Sequence, residues 1–256
     1  MDTVYIGIDP TANRRPMNYA VLNDSLDLLA HGQGKLDEVA AVVRTYPSAM
    51  VAIDAPQSPN ARLMKDPKYR ARLGLPPKSA KWSGYKVCEY ELRRRGLKLY
   101  NTPADADALP RWMKAGFELY NTLYSDGFQV YQPGSNAPRQ VFEVHPHAIF
   151  AALLGRIPLP KDSLEGRMQR QLLLYQEKVE VPDPMSVLEE ITRHHLLEGA
   201  LSLPLLYTHD ELDALASAYA AQVAALRPEQ VTRVGDPAEG QIVVPIAPAN
   251  FKDAYL

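Results

Sequence analysis

Cysteine is nearly missing: Cys88 is the only one in 256 residues. No internal disulfide can form, and no zinc site with two or more thiolates is possible. Long apolar runs are missing too. No stretch approaches the roughly 20 apolar residues of a membrane-spanning helix. The first apolar run is interrupted by Gly7 and ended by Asp9, and it follows no basic start of the kind that opens a secretory signal. A soluble, cytoplasmic protein with no membrane partner is the expectation. Net charge is small, −2 from 28 basic and 30 acidic residues, so the total selects no class of partner. Neither Gly-x-x-x-x-Gly-Lys-[Ser/Thr] nor Gly-x-Gly-x-x-Gly occurs, so the common glycine-rich phosphate loops are excluded.

What is present is an ordinary globular composition, 46% apolar and 23% charged. Apolar alternation and turn residues predict strands at 3–9, 17–23 and 26–31, a helix over 36–44, and a strand at 49–54. A helix is expected at 87–95, a short strand at 97–100, a helix at 109–124, and strands at 128–131 and 140–144. Further helices are expected from 147, over 161–178, over 185–199 and over 209–226, before strands at 231–234 and 241–244. Strands mixed with helices predict an α/β protein. The expected organisation is one domain over 1–256, with a basic, proline-rich insertion at about 56–96 and a helical insertion at 155–200.

Charge is unevenly placed. Between Arg62 and Lys98 there are 12 Lys or Arg against 3 acids, leaving 16 basic and 27 acidic residues for the rest. Tyr69, Trp82, Tyr85 and Tyr90 are interleaved with these cations. Cations beside aromatics suit a phosphate backbone and stacked bases. Lys81, Trp82, Tyr85, Lys86, Arg93 and Arg94 are therefore the expected nucleic-acid contacts. The alternative is a solvated loop whose aromatics pack on one another, with Arg93 to Arg95 favouring the end of their own helix.

Five acidic residues, in four places along the chain, stand out. Asp9 and Asp54 each end an apolar run and precede a break, and parallel neighbouring strands would bring both to one sheet edge, where ligands gather in open α/β sheets. Glu143 lies in Phe142-Glu143-Val144-His145-Pro146-His147 and is expected to point into the same site, with His145 capping or orienting the helix that follows. Asp210 and Asp213, three apart, share a helix face; they either cap that helix or meet the strand carboxylates. Ala214, Ala216, Ser217 and Ala218 are small enough to let it approach a sheet closely.

Ile6-Gly7-Ile8-Asp9, the strand ending in Asp54, and Asp210-Glu211-Leu212-Asp213-Ala214 on a late helix resemble the ribonuclease H-like fold. The Asp-x-x-Asp-Ala element is similar to that of RuvC-type junction resolvases. More closely, Ala52 to Pro56, Cys88 to Gly96, Phe142 to Pro146 and Asp213 to Ala221 resemble domain of unknown function family 429, described as predicted nucleases of this fold. Where better-known members carry Asp after the cysteine, this chain has Glu89. Residues 155–200 match nothing in the pattern.

The resemblance implies a metal-dependent nuclease. Asp9, Asp54, Glu143 and Asp213 would hold Mg²⁺ or Mn²⁺, with Asp210 as a further ligand or neighbour, and two ions roughly 3.5–4 Å apart would act on the phosphodiester. Two other expectations remain open. One is a binding or scaffold protein with a vestigial acidic set. The other is an actin-like-fold ATP-dependent phosphotransferase, which shares the same core.

Overall fold

The computed structural model describes residues 3–11, 16–77, 79–190, 193–199 and 203–255. The chain opens with β1 (Val4–Asp9), β2 (Met17–Leu22) and β3 (Leu28–Gly34), an antiparallel meander. Helix α1 (Leu36–Arg44) crosses over to β4 (Ala49–Ile53), which pairs parallel to β1. The insertion carries α2 (Pro67–Arg72) and α3 (Val87–Arg94), and α4 (Arg111–Ser125) leads to β5 (Gln129–Val130) and β6 (Arg139–Glu143). Then come α5 (Pro146–Leu154), α6 (Leu164–Gln176), α7 (Ser186–Glu190), α8 (Arg193–Leu197), α9 (His209–Leu226), β7 (Thr232–Asp236) and β8 (Gly240–Val244).

Among the described residues the strands form one mixed sheet of eight, in the order β3-β2-β1-β4-β6-β8-β7, with β5 beside β6. It is an α/β architecture. No helix is long and apolar enough to cross a membrane among the described residues.

The register decides which side chains share a face. Ile6 pairs with Val51, and Val51 with Val141; these pack with α1 and α4 residues in one core. Gly7 pairs with Ala52, and Ala52 with Phe142; these face α9 in the other core. Side chains alternate along a strand, so every shift of one residue changes face.

Three expected elements differ. Residues 97–100 form no strand, although Leu97 and Leu99 are buried in a satellite core with Cys88 and Ile242. The third strand begins at Leu28 because Leu26, with φ +66°, belongs to the preceding turn. The helix expected over 185–199 falls partly outside the described residues; its described parts are α7 and α8.

Candidate active site

Asp9 ends β1, and the ladder continues past it: the Asp54 N–H donates to the Ile8 carbonyl (2.9 Å), so Asp54 follows Ile53 into line beside Asp9. Two steps of alternation from Gly7 and Ala52 put both carboxylates on the α9 face. The helix lies close. A Cβ on Gly7 would stand 1.9 Å from the Ala214 carbonyl oxygen and 2.3 Å from the Ala218 nitrogen, so only glycine fits there. Small residues on α9 complete that approach, and Asp213 comes down beside the strand ends.

Neither Asp210 nor Asp213 is the helix cap. Thr208 takes that role, its hydroxyl accepting from the Glu211 N–H (3.3 Å) while the Thr208 N–H donates to the Glu211 carboxylate (2.7 Å). Asp210, half-buried in the first turn, pairs with His209 (2.7 Å).

Burial raises Asp9 well above the usual carboxylate range, and the charges of Asp54, Asp213 and Asp210 push the same way; Lys161 opposes them. Asp213 is raised by burial, pulled back by Lys161, and raised again by Asp54. The Lys161 Nζ lies 3.1 Å from Asp213 Oδ2. Burial works against the lysine's charge, but Asp213 and then Asp9 and Asp54 hold its pKa above the ordinary value.

His145 is the N-cap residue of α5, but its side chain makes no capping hydrogen bond. Its Nε2 meets the Lys98 carbonyl (3.1 Å), which can only accept, so Nε2 carries the proton. Nδ1 is left 3.5 Å from Asp54 Oδ1, and both atoms are buried without a hydrogen-bond partner. Two acceptors facing each other mark a place where positive charge, a proton or a cation, would be favourable.

Glu143 is not brought to this group. It pairs with Ile53, which pairs with Ile8, so alternation turns it to the opposite face. There it is fully buried, accepting from the Gln57 N–H (2.9 Å) and the Tyr100 hydroxyl (3.2 Å), with Lys86 Nζ at 3.6 Å.

The expected nucleic-acid contacts have mostly inward roles. Lys86, placed on the surface by expectation, is fully buried against Glu143, and its Nζ also donates to the Ser58 carbonyl (3.2 Å). Trp82 makes edge contacts with Tyr85 and Tyr90 at 5.3 and 5.7 Å, over a small core with Met64 and Val87. Arg93 stacks on Tyr85 and donates to the Leu99 carbonyl, and Arg94 pairs with Glu91. Lys81 is exposed, its Nζ 5.6 Å from the Trp82 ring. Locally packed aromatics, the alternative read from the sequence, describe this insertion.

A cavity of about 630 Å³ opens beside Asp54 and Asp213. Lys98, His147, Lys161 and Arg170 border it, and Ile157 to Pro160 form its apolar side. Sequence reasoning missed Lys161, which lies in the unmatched 155–200 stretch and carries no local signal. It also missed Asn18, buried opposite Asp9 with Oδ1 unpartnered; a polar residue inside an apolar strand was the available clue.

A hard divalent ion is tested by this donor set. Asp9, Asp54 and Asp213 offer carboxylate oxygens only, and Asp54 Oδ1 is buried and unpartnered, which suits Mg²⁺ or Mn²⁺. Among the described residues no three His, Cys, Asp or Glu side chains stand at metal-holding spacing, and Lys161 supplies the positive charge beside Asp213. The donor type fits such an ion while the spacing of the side chains does not, and Glu143 is outside the set.

Fold and site together define an α/β protein with acidic residues at the carboxyl ends of adjacent parallel strands, met by a late helix. The chain belongs to the family described as protein of unknown function (DUF429), whose model matches residues 7–240. No curated protein and no solved structure matches it.

Proposed function

We propose that this protein is a metal-dependent phosphodiester hydrolase acting on nucleic acid, built on a ribonuclease H-like fold. One observation carries the reading: Asp9 and Asp54 stand side by side on parallel strands, on the face where α9 presents Asp213. Buried carboxylates that raise one another's pKa destabilise a fold, and such clusters persist where chemistry uses them.

Asp9, Asp54 and Asp213 would hold Mg²⁺ or Mn²⁺, with Asp210 alongside. Held there, such an ion would supply Lewis-acid chemistry for water activation and leaving-group stabilisation. The chain's own contributions are positional. Lys161 and Lys98 bring positive charge to the phosphate, and the Lys98 carbonyl orients His145, whose Nδ1 is where a proton can be held next to Asp54. His147, pushed down to about 4 by burial first and then by the neighbouring His145, Arg170, Lys161 and Lys98, stays neutral at pH 7.

A second reading, a non-catalytic binding protein, has one observation in its favour: Lys161 already pairs with Asp213. Cleavage assays with single-stranded, hybrid, flap and branched substrates in Mg²⁺ or Mn²⁺ separate the two. Asp9→Asn and Asp54→Asn should each lower the rate by about a hundredfold or more, the scale of losing one preorganised electrostatic contact. Undiminished cleavage by both variants would remove these residues from the reaction.

A further inference from the structure

The insertion expected to grip the substrate spends its aromatics on its own small core. The wall beside the carboxylates comes instead from the 155–161 stretch, which leads into the helical insertion. That wall is fixed. Gly155 closes α5 in the left-handed conformation, and its carbonyl accepts from Lys252 Nζ (2.6 Å). The Leu159 N–H donates to Gln169 (2.8 Å), and its carbonyl accepts from Arg170 (2.8 Å). A Cβ on Gly166 would stand 1.9 Å from the Pro160 carbonyl oxygen, so α6 presses directly against the segment. Yet Ile157 and Leu159 remain 36% and 46% exposed at the border of a cavity lined by cations.

We propose that this cavity takes a single nucleoside-phosphate unit, the terminal nucleotide of a strand, with phosphate toward Lys98 and Lys161 and base or sugar against Ile157, Pro158 and Leu159. The inference rests on the hydrolase reading and adds the form of its substrate: a strand end rather than the interior of a duplex. A volume of about 630 Å³ is that of a small-molecule pocket, within the range of roughly 300–1,000 Å³ that encloses such ligands. Apolar wall and cationic floor divide as a nucleotide does. Arg170, itself 2% exposed, keeps its Nε without a partner at this border. Burial first, and then the cations Arg170, Lys161 and Lys98 together with His145, lower the pKa of His147 at this border.

The test has two arms. In Mg²⁺ or Mn²⁺, a linear single-stranded oligonucleotide should be shortened stepwise to mononucleotides, while the same sequence closed into a circle stays intact. Calorimetry with adenosine monophosphate should show binding that weakens tenfold or more in both Lys98→Ala and Leu159→Asp. Cutting of the circle at the linear rate, or monophosphate binding unchanged in both variants, overturns the inference and leaves the hydrolase reading standing. No cleavage of any substrate, with monophosphate binding still sensitive to both variants, supports the cavity's ligand as a free nucleotide and counts against the hydrolase reading.

Discussion

Two groups of buried carboxylates, set apart by the sheet and by the insertion, are treated in opposite ways. Glu89, Glu143 and Glu239 are all fully buried, and each is met by donors. Glu239 accepts from the Leu63 and Val87 N–H groups (3.1 and 3.0 Å), and Glu89 from the Thr102 and Lys86 N–H groups (2.8 and 2.9 Å). Glu143 has Gln57, Tyr100 and Lys86. Burial raises Glu89, but hydrogen bonds from Thr102 and Lys86 pull it back; at Asp9 the neighbouring carboxylates add to burial instead. The glutamates stitch the proline-rich insertion to the sheet. Among the aspartates, Asp213 has Lys161, whereas Asp54 keeps Oδ1 buried without a partner beside the cavity.

The largest expected effect breaks the stitched side. Lys86→Ala leaves Glu143 buried without its ammonium, and losing one partner of a buried pair costs about 3–5 kcal/mol. Urea unfolding should show it. A loss under about 1 kcal/mol would mean that Gln57 and Tyr100 alone satisfy Glu143.

On the other side the sign reverses. Asp9→Asn removes a charge that burial and three acids disfavour, so it should stabilise the fold by about 0.5–2 kcal/mol while lowering activity. The smallest effect is its pH dependence. Asp9's folded pKa lies above its unfolded one, so between the two the folded state binds the extra proton and wild-type stability rises as pH falls. The advantage of Asp9→Asn should therefore be greatest at neutral pH and shrink on acidification through Asp9's folded pKa. A gap that stays constant from neutral pH down into the ordinary carboxylate range would show that Asp9 carries no such penalty.

Much of this contrast was legible in the sequence. Apolar runs ending in Asp9 and Asp54, and small residues after Asp213, marked these positions, while the parallel pairing of β1 with β4 that sets them side by side came from the fold. The placement of Glu143 was not legible, because its face depends on a one-residue register between β4 and β6 that no local pattern specifies. The cations between Arg62 and Lys98 were visible, but not that Lys86 turns inward to a glutamate 57 residues later or that Trp82 packs on Tyr90. Lys161 reaches Asp213 across 52 residues, a contact made only by the tertiary fold.

On the proposed reading the aspartate group, and not the glutamate group, takes a cation. Calorimetric titration of Mn²⁺ into wild type, Asp54→Asn and Glu143→Gln tests it most directly. Binding by wild type and by Glu143→Gln, with loss in Asp54→Asn, is the predicted result. Binding that survives Asp54→Asn and disappears in Glu143→Gln, or no binding by wild type, would contradict it.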